Sequence, residues 1–113
     1  MIIVSESISL AELKEMAEKR FGILVKAVVD VEKEIMAVDA ELHADEEALL
    51  LEKGSRQEDL WGINIYPEMP ESERIEYDSM INLRPSQGNR TRGVDAQETR
   101  EKIIQIVNKR VNK

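Results

Sequence analysis

The chain has 113 residues, 16 basic and 23 acidic, a formal charge of −7 and no cysteine. The missing cysteine excludes a disulfide framework and thiolate chemistry, and the acidic body argues against nucleic acid gripped over the whole surface, since phosphates repel it. With 42% hydrophobic and 35% charged residues, the composition is globular rather than disordered, and the length suits one domain, residues 1–113, able to bury a single core.

Met1-Ile2-Ile3-Val4 is too short for a signal peptide or a membrane span, and no later run is long enough. A soluble cytoplasmic protein without membrane contact is the expectation. Ile2–Val4 reads as a short strand. Ser9 and Glu12 then form the S-x-x-E capping box, with Ile8 placed to staple onto Leu13. Leu10, Leu13, Met16 and Ala17 give the helix one apolar face. Gly22 supplies a left-handed cap, so the helix spans about residues 10–20.

From Ile23 to Val38 two signals compete. Leu24, Val28, Val31, Ile35, Val38 and Leu42 have helical spacing. The β-branched run Val25, Val28, Val29 and Val31 favours strand. Strand is preferred, as a hairpin of about 24–31 and 34–42 turning near Glu32-Lys33, although no Gly or Asn marks the turn.

Asp39, Glu41, His43, Asp45 and Glu47 alternate with less polar residues, which places them on one face of an extended strand. The competing reading is a helix capped by Asp45, with Glu46 and Glu47 in its first turn and Gly54 at its end. Both stay open. Leu60–Tyr66 is a strand that Pro67 ends, with Trp61, Ile63 and Ile65 on one face and Gly62, Asn64 and Tyr66 on the other. Arg74–Leu83 reads as a further strand. Asp95 and Glu98 look like the cap of a last helix. Together these elements predict an α+β domain, a largely antiparallel sheet with the N- and C-terminal helices packed on one face and polar residues on the other.

Arg84-Pro85-Ser86-Gln87-Gly88-Asn89-Arg90-Thr91-Arg92-Gly93 is the one basic island. Its proline, glycines and small polar residues make it a loop. Arginine forks and turn amides hold anions well. Arg84, Gln87, Asn89 and Arg90, with Asn64 from the neighbouring strand, are therefore the expected ligand-binding residues. The competing role is internal neutralisation of the acidic residues 39–47. Glu41, His43 and Asp45 form the candidate metal set, because alternate strand residues sit about 6–7 Å apart and can converge on one divalent ion. The alternative is a solvated histidine, since no second His or Cys accompanies it. Trp61, on the apolar face of its strand, reads as a core residue.

The segments Val25–Asp30, Glu41–Asp45, Gln57–Asn64 and Arg84–Arg90 resemble a small family of prokaryotic proteins catalogued as a domain of unknown function. The resemblance runs from the first helix to the last and implies no activity. Two glycines often stand in that family where this chain has Asp39-Ala40. By resemblance, Glu41, His43, Asp45, Asp59, Trp61, Asn64, Arg84, Gln87, Asn89 and Arg90 carry whatever the family does. The leading functional expectation is a non-enzymatic binding or regulatory module that contacts a protein or anionic ligand through the polar sheet face and the Arg84–Gly93 loop. The alternative is a small metal-assisted hydrolase acting on a phosphate-bearing substrate. The oligomeric state has no signal in the sequence.

Overall fold

The computed structural model describes all residues, 1–113. The chain folds as α+β, with a five-stranded antiparallel sheet at its centre. The strands are β1 (Ile2–Val4), β3 (Val25–Asp30), β4 (Ile35–Val38), β5 (Leu60–Ile65) and β6 (Ile75–Glu76), in the order β1-β4-β3-β5-β6. A second, two-stranded parallel pair, β2 (Ile8–Ser9) with β7 (Val111–Asn112), ties the start of the first helix to the end of the last.

Helices α1 (Leu10–Lys19) and α3 (Gln97–Arg110) cover one face. Their Leu13, Ala17, Ile103, Ile106 and Val107 pack with Val25, Ala27, Val29, Ile63 and Ile65 into the larger core. Alternation along β3 and β5 dictates which residues these are: Val25, Ala27 and Val29 stand opposite Ile65, Ile63 and Trp61. The capping box of α1 forms as expected. The Glu12 amide donates to Ser9 Oγ at 3.0 Å, and the Ser9 amide to Glu12 Oε1 at 3.3 Å. Gly22 takes φ +90 and closes the helix onto the Ala17 carbonyl.

The opposite face is not left polar. Helix α2 (His43–Glu52) lies on it, and its Leu50 makes a smaller core with Val28, Ala37 and Leu60. The extended reading of residues 39–47 is thereby corrected. Asp39 takes φ +71, a left-handed conformation that ends β4 and favours glycine. The chain then turns and enters α2 two residues before Asp45, with Leu42 as its N-cap.

The β3–β4 turn manages without Gly or Asn because Asp30 builds it. Its Oδ1 accepts from the Glu32 and Lys33 amides, both at 2.9 Å, and Ser55 Oγ donates to its Oδ2 at 2.6 Å.

The expected strand Arg74–Leu83 is also corrected. Only Ile75 and Glu76 pair with β5. Beyond them, Asn82 replaces the ladder with its side chain. Its Oδ1 accepts from the Gly62 amide at 2.8 Å, and its Nδ2 donates to the Gly62 carbonyl at 2.9 Å. Residues 77–83 thus leave the sheet and cross over its second face. Period-two alternation in a strand would put Ile81 on the face of Ile75 and Tyr77; here it packs into the smaller core under α2.

Candidate functional site

The arginine loop, Arg84–Gly93, leaves the end of the strap-like crossing segment and turns back on itself. Gly88 reverses it at φ +86, and Arg84 and Asn89 exchange backbone hydrogen bonds of 2.9 and 3.1 Å. Arg84 is buried and turned inward. Its guanidinium donates to the Gln57 carbonyl at 2.5 Å and the Leu60 carbonyl at 2.7 Å, and sits over Trp61. Burial pushes its pKa down, while Glu47 pulls the other way. Asn89 is buried too. Its Nδ2 donates to the carbonyls of Asn82, Thr91 and Gly93, and its Oδ1 accepts from the Asp95 amide.

Gln87 and Arg90 are exposed at the loop surface. The four loop residues therefore do not converge: two are spent inside the fold and two face solvent. Asp95 does not cap α3, whose N-cap is Ala96. It holds the loop, accepting from Thr91 Oγ at 2.5 Å and the Arg90 amide at 2.7 Å. These bonds keep its carboxyl below the usual range, the Thr91 hydroxyl most of all.

The candidate metal set is not brought together: no three His, Asp or Glu side chains are grouped to hold an ion. The helix separates Glu41, His43 and Asp45. Glu41 and Asp45 line an open cleft of about 480 Å³ that also contains Arg20 and Asp39. The cation there is already engaged, with Arg20 Nε 2.8 Å from Asp39 and Nη1 3.8 Å from Glu41. His43 turns the other way, into the protein, with Nε2 2.7 Å from the Ile63 carbonyl.

His43 instead lines a second cavity, of about 220 Å³, above the second face of the sheet. Three parts of the chain build it. β3 and β5 supply Lys26 and Asn64, directly opposite each other in register. The first turn of α2 supplies Leu42, His43 and Ala44. Residues 77–83, a strap across the second face, and the arginine loop supply Ser79, Met80 and the Asp78–Arg92 ion pair, 2.9 Å long.

Gly62 lets the strap approach this closely. A Cβ there would stand 2.5 Å from both Cβ and Oγ of Ser79.

The electrostatics of this cavity differ from those of the acidic body. Lys26 makes no ion pair; its Nζ stands 5.3 Å from the Phe21 ring centroid. His43 is held below its ordinary pKa by burial first of all, so it is neutral at pH 7. The first turn of α2 has no side-chain cap. The Asp45 amide donates to the Leu42 carbonyl at 3.1 Å and the Asp45 carboxylate stands in this turn, but no side chain accepts from the His43 and Ala44 amides.

Glu46, one turn into α2, is fully buried, and neither carboxyl oxygen has a partner at hydrogen-bonding geometry. Burial pushes its pKa up to about 9, with the nearby Ala40 amide offsetting only part of the shift.

Of the sequence candidates, the cavity brings together Asn64 and His43 and excludes the rest. Sequence reading missed Lys26, Asp78 and the uncapped turn. Lys26 had one available signal: the only basic residue in a β-branched strand.

A three-layer α+β domain with a small polar cavity between α2 and the sheet is the class these features define. The chain belongs to the family described as "Protein of unknown function (DUF5674)", whose model matches residues 2–110. No curated protein and no solved structure matches it. No helix is long and apolar enough to cross a membrane.

Proposed function

We propose that the protein is a binding module that holds a small anionic ligand in the cavity between α2 and the sheet. The observation that carries this reading is that Lys26, a cation with no carboxylate partner, lines the same cavity as the uncapped first turn of α2. Helix N-termini attract anions through their unpaired amides and their dipole. Asn64 lines the cavity, and its side-chain Oδ1, buried and without a partner, marks the place as built for more than packing. Arg92 brings the arginine loop to the cavity rim. Glu46 does not compete for the helix terminus, because it is uncharged at neutral pH.

The cavity is smaller than those that take drug-sized molecules, about 300–1,000 Å³, so the ligand is metabolite-sized. The hydrolase reading has no comparable support once its three proposed ligands are apart.

Titrating isotope-labelled protein with inorganic phosphate and with acetate tests the proposal by amide shifts. Shifts should concentrate at Leu42–Ala44 and around Asn64, and weaken at least tenfold in affinity in Lys26→Ala. Affinity unchanged in that variant, or no shifts in the native chain, would overturn it.

A further inference from the structure

We infer that the ligand carries a hydroxyl or amino donor beside its acidic group, as an α-hydroxy or α-amino acid does, and that Asn64 selects for that donor. This deepens, and rests on, the reading of the cavity as an anion site. Asn64 is 6% exposed and lies directly across from Lys26. Its amide orientation is dictated by its neighbours. Nδ2 donates to Glu76 Oε1 at 2.9 Å, and the Tyr66 hydroxyl donates to the same oxygen at 3.0 Å. A carboxylate can only accept, so the amide nitrogen must face Glu76 and Oδ1 must turn away from it.

Oδ1 then has no partner, although Asn64 lines the cavity. A buried acceptor left unpaired is costly, and a donor supplied by a ligand recovers that cost. Oδ1 is shut off from solvent, so a ligand reaches it only when a neighbouring side chain of the cavity lining shifts.

His43 adds a second acceptor. The Ile63 carbonyl at 2.7 Å can only accept, so Nε2 carries the proton and the neutral ring keeps a bare Nδ1. The cations and helix amides suit an acid, and these two atoms suit a donor. A simple carboxylate satisfies the first group and leaves the second unmet. Sites built to hydrogen-bond a substrate hydroxyl or amine discriminate strongly against analogues that lack it.

The test is a titration of the native, isotope-labelled chain with acetate, glycolate and glycine, which differ by one hydroxyl or one amino group. At least one of the two donor-bearing acids should bind tenfold or more tightly than acetate and shift the Asn64 side-chain amide signals. Asn64→Leu should bind all three alike. The native comparison needs no variant, so it decides even where Asn64→Leu fails to fold. Three equal affinities in the native chain, with shifts at Leu42–Ala44, would overturn the inference and keep the anion site. No shifts with any of the three would overturn both.

Discussion

The Arg84 guanidinium sits over the Trp61 ring, with Cζ 4.2 Å from the ring centroid. The same group donates to the carbonyls of Gln57 and Leu60, joining the arginine loop to the start of β5. The stacking face and the forked donors are used together, and lysine cannot reproduce that combination. Arg84→Ala should destabilise the fold by about 2–4 kcal/mol. Arg84→Lys should recover less than half of the loss. Chemical denaturation of the three proteins checks this, and equal stability of Arg84→Lys and the native chain would contradict it.

Gly62 offers a test of the strap. The position a Cβ would take is already filled by Ser79. Gly62→Ala should therefore cost about 1–3 kcal/mol through overpacking. It should also disturb the cavity, because Ser79 and Met80 line it. The double variant Gly62→Ala with Ser79→Gly should regain most of the stability, measured by thermal unfolding. Failure of the second change to rescue the first would place the strain elsewhere.

How much of this the sequence discloses depends on whether the signal is local. The α1 capping box and the Gly22 cap are local and legible, since Ser9, Glu12 and Gly22 act within a few residues. β3 is legible through its β-branched run, which reflects burial on both faces. α2 is obscured because two of its three buried residues, His43 and Glu46, are polar, so no apolar stripe announces its inner face. The strap is obscured for another reason. Asn82 does with its side chain what a strand does with its backbone, and nothing in residues 74–83 reveals that substitution. The pairing of Lys26 with Asn64 follows from register alone, which requires knowing that β3 and β5 are neighbours.

Glu46 makes stability depend on pH in the direction opposite to most carboxylates. Its folded pKa of about 9 lies above the ordinary 4.5. Between those values the folded state holds a proton that the unfolded state has released, so stability falls as pH rises through the window. The loss at pH 7 is roughly 3 kcal/mol. Glu46→Met, of similar volume and without a charge, should be more stable than the native chain by about that amount at pH 7 and by little at pH 4.5. Urea unfolding at the two pH values measures the difference. A gain that is the same at both would show that ionisation of Glu46 is not its source.

The arginine loop separates into residues that hold it and residues that do not, and stability should divide the same way. Asn89 makes four side-chain hydrogen bonds, to Asn82, Thr91, Gly93 and Asp95, all from a buried position. Removing the amide in Asn89→Ala leaves three carbonyls and one N–H without their partner, so the cost should be about 2–3 kcal/mol. The Arg90 side chain is exposed and forms no ion pair. Its backbone amide, not its guanidinium, binds Asp95. Arg90→Ala should therefore stay within about 0.5 kcal/mol of the native chain, as should Gln87→Ala. Because Arg90 lies outside the cavity lined by Lys26 and Asn64, Arg90→Ala should also leave the phosphate-induced shifts at Leu42–Ala44 in place. Thermal unfolding and the phosphate titration, run on Asn89→Ala and Arg90→Ala side by side, check both halves. Loss of the phosphate response in Arg90→Ala, with stability unchanged, would move the anion site from the cavity to the loop surface.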